Sequence, residues 1–489
     1  CRCQCLGDRS QCYFKPQQKL ISHEPEVLGS SVFLTFKETY SRVEEERILF
    51  DEKRVRIMYL TYHFKERLRL FLSLFLPILI YQLANYSASF VDTAMTGQYR
   101  TLDLAGVSTA TSLWNPFFTF LTGIVSALTP IVGHHLGKGN KERIAGDFYQ
   151  FLYMSFGMAI LLIGFVWGIA PMILKQIGLE NVVAQIAIRY LYFLSLGILP
   201  LLLFSIVRTF LDTLGMTRLS MYLMLLLLPL NACFNYILIY GAFGFPEMGG
   251  AGAGLGTSLA YWVLLAIAVL ILCKHPKVAP FQLWKPQPYD FKGMKEVLRL
   301  GLPIGGIVFA EVIIFSLVGL LMAKFPSLTI ASHQSAMNFS TLMYAFPVSI
   351  SSTMAIIVSY ELGAGRPEVV KQYCRLGRLT AFGFAIVTLV FLYTFRLQLA
   401  GLYGKDPVFV QQTAIFMTYS LFFQVADTFA APLQGILRGY KDTTVPFLLG
   451  VFSYWCISIP LGIFLDHVTN LGPYAYWIGL ISSLVVSGI

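Results

Sequence analysis

Three carboxylates stand where the chain is otherwise apolar. Glu311 lies in "VFAEVIIFSLVGLL" (308–321), Asp427 in "FFQVADTFAAP" (422–432), and Asp92 late in the first long apolar stretch. A charge at mid-bilayer costs about 2.5–3.5 kcal/mol on insertion scales, so such residues face a bundle interior or a wet cavity and act there. If Glu311 and Asp427 share one hollow, two chemistries are open. Two acids held together can share a proton, and carboxylate and carbonyl oxygens are hard ligands suited to sodium. For Asp92, near the end of its stretch, an ordinary interfacial acid is the competing reading. Asn231 and Asn235 are four apart in "LPLNACFNYILIYG" and so share a helix face. With Asp92 and Thr257 they can form a second polar cluster, or simply hydrogen bonds between packed helices.

These residues need helices that cross a membrane. The 489 residues are 56% hydrophobic and only 13% charged, with a mean hydropathy of +0.66. A soluble domain carries about 25% charged residues. From about residue 69 onward, twelve apolar stretches recur, each able to span a ~30 Å hydrocarbon core as a helix. Glu311 falls in the seventh, expected over about 296–324, and Asp427 in the tenth, about 409–437. The sequence therefore predicts an all-α integral membrane protein.

Residues 1–57 differ, with ten Lys/Arg, nine Asp/Glu and no long apolar run. Met58 is read as the start of the folded chain, and 1–57 as a non-family segment outside the fold. Its "CRCQC" lacks the C-x₂₋₄-C spacing of zinc sites. The other four cysteines are scattered through apolar stretches and suggest no disulfide framework. The net charge of +10 does not point to nucleic acid, because the Lys/Arg residues collect in alternate loops. Such loops face the cytoplasm, and they take the N-terminal end with them.

The chain is duplicated. "LFLPILIYQLANYS" (74–87) aligns with "LGLPIGGIVFAEVI" (300–313) at an offset of 226, placing Pro77 on Pro303. "GHHLGKGNKE" (133–142) aligns with "SYELGAGRPE" (359–368) in the same register. Each half holds six spans, so the two enter the membrane in the same orientation. The halves are expected at 62–287 and 288–489. The register places residue 489 midway through the twelfth span, which is expected to be cut short. Pro77, Pro303 and Pro347 remove backbone hydrogen bonds inside spans and mark bends, with Pro77 and Pro303 the expected hinges. "LGKGN" and "LGAGR" lack the strand and the G-K-[ST] of a phosphate loop and read as helix C-caps. His134 and His135 are adjacent and point to different faces, which argues against a metal site. His333 is either cavity lining or packing.

The motifs "VDTAMTGQYRTLDLAGVSTATSLWNP", "LTPIVGHHLGKG", "LPIGGIVFAEV", "ASHQSAMNFS" and "LRGYKDT" resemble the multidrug and toxic compound extrusion (MATE) family, in its bacterial NorM-like branch. The resemblance runs from about residue 62 to the end. It implies two pseudo-symmetric six-helix lobes around a central cleft, which alternates between inward- and outward-open states. It implies export of small cationic, often aromatic, molecules in exchange for Na⁺ or H⁺, with no cofactor. The protein is then a monomeric multi-pass protein of the bacterial cell (inner or plasma) membrane and not an enzyme. Carried over by motif, the cation-binding acids are Glu311, Asp427 and Asp92. Asn231, Asn235, Thr257 and Gln424 line the cleft. Phe423 stands where some relatives place a tyrosine, so one hydroxyl ligand is missing there. A lipid-linked oligosaccharide flippase of the same superfamily is the alternative. Its cleft needs several Arg or Lys for a pyrophosphate, and the spans here have almost none, Arg208 lying near a span end.

Overall fold

The computed structural model describes residues 61, 63–176 and 180–488, without the side chains of residues 89, 90 and 323. The 1–57 segment, its cysteine cluster and Met58 lie outside the described residues. From Thr61 onward the chain is one compact unit. Every regular element described is helical.

The first half runs α1 (Phe64–Tyr99), α2 (Thr101–Val125), α3 (Leu128–Lys138), α4 (Lys141–Gly164), α5 (Ala170–Gln176), α6 (Asn181–Ser195), α7 (Ile198–Thr213), α8 (Thr217–Tyr240) and α9 (Gly250–Lys274). The second half runs α10 (Phe291–Leu321), α11 (Ser327–Met343), α12 (Ala345–Gly363), α13 (Pro367–Gly401), α14 (Pro407–Gly439), α15 (Thr444–Phe452), α16 (Ile459–Val468) and α17 (Tyr474–Gly488). Several neighbours join into single spans: α2 with α3, α4 with α5, α11 with α12, and α15 with α16. Among the described residues, ten helical spans are long and apolar enough to cross a bilayer. An eleventh is the pair α6–α7, broken by a 51° bend, and α17 is a shorter apolar helix. Together they make the twelve helices of two six-helix lobes around a central cleft.

The breaks have named causes. Pro200 has no N–H for the Leu196 carbonyl four residues back. The indole Nε1 of Trp262 donates to that carbonyl instead, at 3.1 Å. Gly197 at the bend packs against α9, where a Cβ would sit 2.6 Å from the Ser258 hydroxyl. Pro200 with Gly197 thus bends this span. Pro77 frees the Ser73 carbonyl in α1 in the same way, and the Thr217 hydroxyl accepts the role of donor at 3.3 Å. In helices without water, each freed carbonyl needs such a partner.

The lobes meet at the end of the molecule rich in Lys and Arg. There α2 packs on α10, and α3 on α12. A Cβ on Gly123 would lie 2.7 Å from the Gly305 Cα, and one on Gly137 would strike the Tyr360 carbonyl. The small residues therefore let backbone touch backbone across the seam. The predicted C-caps form here: Gly139 ends α3 at φ 74°, and Gly365 follows α12 at φ 70°. His134 Nε2 donates to the Gly439 carbonyl of the other lobe at 2.9 Å. His135 turns instead toward Asp147, 3.5 Å away.

Candidate functional site

The two acids that opened the sequence reading come from α10 and α14 and lie in each other's electrostatic reach. Asp427 is buried at 4% exposure, whereas Glu311 is half-buried. The charge of Glu311 acts on the nearby hydroxyl of Tyr344. Tyr344 is the single residue between α11 and α12. Pro347 explains its position, because that proline cannot donate to the Met343 carbonyl. Gln424 Nε2 takes the carbonyl at 3.1 Å. Gln424 sits on α14 one turn before Asp427, so one helix supplies both an acid and the clamp that sets the tyrosine facing its partner.

Two more tyrosines feel both acids. Tyr454, 2% exposed, comes from the π-helical turn between α15 and α16. Tyr86 comes from α1 of the first lobe. The two acids are thus approached by tyrosines of both lobes. The sequence reading singled out none of these tyrosines, nor Arg438. Arg438 stands one residue past the span end that the sequence predicts, at about 437. It lies in the last turn of α14, and its charge acts on Tyr344 and Glu311. Helix α14 extends two residues past its expected end, to Gly439, because its last turn still packs against α12: a Cβ on Gly439 would meet Val358 Cγ1 at 2.6 Å.

Phe423 is 5% exposed. It packs edge-on against Phe315 at 5.6 Å and Trp477 at 6.4 Å. The sequence offers no hydroxyl at this position, and three tyrosines stand near the acids from other elements. His333 belongs to the same core: its Nδ1 accepts from Trp477 Nε1 at 3.1 Å, so packing is its role.

Asp92, Asn231, Asn235 and Thr257 come together in the first lobe. Asn235 Nδ2 donates to Asp92 at 2.5 Å and to the Asn231 carbonyl oxygen at 3.0 Å. Asn231 Nδ2 donates to the Thr257 hydroxyl at 3.0 Å. Both asparagines are fully buried, at 2% and 0% exposure, as their four-residue spacing on α8 requires. Between the clusters, at the seam, Phe117 and Phe120 of α2 meet Phe309 of α10 at 6.0 and 5.7 Å. Phe309 precedes Glu311 by two residues, which on a helix turns the two side chains to different faces, so these rings line the seam. Arg208 is not free: its guanidinium is 3.6 Å from Asp212 and 5.0 Å over the Tyr81 ring. Among the described residues no group of three or more His, Cys, Asp or Glu is arranged to hold a metal ion.

A duplicated bundle of six plus six helices, with paired acids inside its second lobe, is the build of a polytopic membrane carrier. The pattern of the MatE family matches residues 77–237 and again 303–464, two copies that begin 226 residues apart, as the internal repeat requires. The chain belongs to this family. It is 67% identical over 431 residues to the probable multidrug resistance protein NorM of Streptococcus pneumoniae, covering 88% of this chain and 95% of that one. It is 44% identical over 428 residues to the NorM of Halalkalibacterium halodurans, covering 87% and 93%. Among solved structures, it is similar to an outward-facing multidrug resistance MATE transporter of the MOP superfamily. That match has a TM-score of 0.79 at 18% identity and covers 89% of this chain and 95% of that one. It is also similar to a eukaryotic MATE transporter, with a TM-score of 0.78 at 19% identity over 87% and 94%.

Proposed function

We propose that the chain is a secondary active multidrug exporter that moves small cationic, aromatic molecules outward in exchange for Na⁺ or H⁺. The observation that carries this reading is the placement of Glu311 and Asp427: two acids close to each other inside the bundle, approached by tyrosines from both lobes. Acids so placed are tolerated because a cation periodically neutralises them. The coupling cation binds at Glu311 and Asp427, with Tyr344 as a neighbouring oxygen. The Asp92 cluster with Asn231, Asn235 and Thr257 is a second polar site in the first lobe. Substrate stacks on aromatic side chains of the cleft, since a flat cation is attracted to ring faces.

The exchange follows from linkage. The cation and the substrate favour opposite-facing states, or compete for one neutralised cleft, so binding one releases the other. The lobes, 62–287 and 288–489, rock about the bends at Pro77 and Pro303. The Lys/Arg-rich end faces the cytoplasm of a bacterium, which makes the closed seam a cytoplasmic seal and the present state outward-facing. A monomer suffices, because both lobes lie in one chain, and no cofactor or enzymatic step is needed.

The test is dye efflux from inverted membrane vesicles under an imposed sodium gradient or an imposed proton gradient. Efflux driven by one gradient and lost in Glu311→Gln and in Asp427→Asn is expected. Full efflux in both variants would remove the coupling role.

A further inference from the structure

The duplicated fold carries two repeat-related hollows at its basic end, and the two differ in charge. The first-lobe hollow is lined by Ser73, Thr217, Arg218, Tyr222, His275 and Lys277. The second-lobe hollow lies between α10 and the turn into α15, has a volume of about 640 Å³, and is lined by Lys292, Lys295, Arg299, Lys441, Asp442 and Thr444 among others. Arg299 corresponds to Ser73 at the 226-residue offset, and Lys292 to Glu66. Positions 292, 295 and 299 share one face of α10. All three side chains are exposed, and none makes an ion pair among the described residues. Lys441, by contrast, is paired with Glu296 at 2.7 Å.

The flanks of this hollow are apolar. Along the same face of α10, Leu298 is 38% exposed and Leu302 47%. On α15, Val445, Leu448 and Phe452 are exposed at i, i+3 and i+7. The two helices close on each other farther in, where a Cβ on Gly306 would lie 2.6 Å from the Phe447 ring and one on Gly450 2.6 Å from Ile307. The result is a wedge with three uncommitted cations at its wide end and lipid-facing apolar walls beyond.

We infer that this wedge is a binding site for an anionic phospholipid, with the headgroup phosphate on Lys292, Lys295 and Arg299 and the acyl chains along Leu298, Leu302 and the outer face of α15. A free phosphate would use the cations but leave the apolar walls without purpose. Basic residues at the membrane surface attract anionic headgroups. The placement also has a consequence for the fold. The turn holding Lys441, in the left-handed region at φ 64°, carries the Gly439 carbonyl that His134 of the other lobe reaches. A headgroup seated beside this turn braces the closed seam. The inference needs only the membrane fold and stands whether or not the exchange reading holds.

The test uses the full chain purified in detergent, with phosphatidylglycerol, phosphatidylcholine and sn-glycerol 3-phosphate as probes. Native mass spectrometry counts bound lipid, and a melting curve reads stabilisation. Phosphatidylglycerol is expected to be retained over phosphatidylcholine and to raise the melting temperature. The triple variant Lys292→Gln, Lys295→Gln, Arg299→Gln is expected to weaken that binding by roughly a hundredfold, about fivefold per charge. Arg218→Gln with Lys277→Gln, in the first-lobe hollow, is expected to leave it unchanged. Equal retention of the two lipids by the unmodified chain overturns the inference without any variant. So does full binding in the triple variant, or an equal stabilisation by sn-glycerol 3-phosphate.

Discussion

Gln424 Nε2 donates to the Met343 carbonyl at 3.1 Å, the carbonyl that Pro347 leaves without its helical partner. The side chain on α14 thereby fixes the break at which Tyr344 turns to Glu311. Gln424→Leu is expected to destabilise the protein by about 0.5–2 kcal/mol, the range for a buried hydrogen bond between membrane helices. A Pro347→Ala background restores an N–H to that carbonyl, so the same substitution there is expected to cost clearly less. Melting curves of the four proteins form a double-mutant cycle, and purely additive effects would refute the clamp.

How much of this was legible in the sequence differs from residue to residue. Asn231 and Asn235 announced their cluster, because a four-residue spacing fixes a shared face before any tertiary structure exists, and Asp92 joined it. The C-caps at Gly139 and Gly365 were legible for the same local reason. Pro347 marked a break but not its repair, since the donor that answers a freed carbonyl comes from a helix 81 residues away. The tyrosines around Glu311 were hidden among an aromatic content of 15%. No local pattern separates a cavity tyrosine from an interfacial one. Arg438 was misplaced because a cation next to a glycine at a span end reads as a loop charge.

Tyr344 is expected to matter through its hydroxyl alone. Tyr344→Phe removes the hydroxyl near Glu311, which can donate to the acid when the site is loaded, while leaving the ring to pack. A hydrogen bond to a charged group contributes about 1.5–3 kcal/mol, so the half-saturating concentration of the driving cation is expected to shift by roughly tenfold or more. Efflux at a saturating gradient should persist, in contrast to Glu311→Gln. Cation titrations of dye efflux in reconstituted vesicles distinguish the two, and an unchanged titration would take Tyr344 out of the cation site.

The Asp92 cluster makes a separable prediction. Asn235→Leu strips Asp92 of its 2.5 Å partner and Asn231 of another, with an expected loss of about 1–2 kcal/mol. Asn235→Asp keeps the size but sets two acids side by side, and its efflux is expected to become strongly dependent on pH, recovering as one of the pair takes up a proton. Asn231→Asp, one turn away, is the comparison. A flat pH profile in Asn235→Asp would mean that the two side chains do not share a site during transport.

The seam predicts how the protein leaves this state. Gly137 has no room for a side chain, because the Tyr360 carbonyl lies where its Cβ would go. Gly137→Leu must push α3 off α12. Overpacking of this kind costs about 1–3 kcal/mol, enough to shift the balance between two conformations by roughly five- to a hundredfold. The strain exists only while the seam is closed, so the substitution should not weaken the protein evenly but should populate the open-seam state. Spin labels placed at the basic ends of the two lobes are expected to show a longer distance in Gly137→Leu than in Gly146→Leu, a position with open space around it. Efflux should fall in the first and not in the second. If Gly137→Leu instead kept the short distance and melted at a lower temperature, the seam would be a static weld between the lobes, and the motion would have to be sought at Pro77 and Pro303 within them.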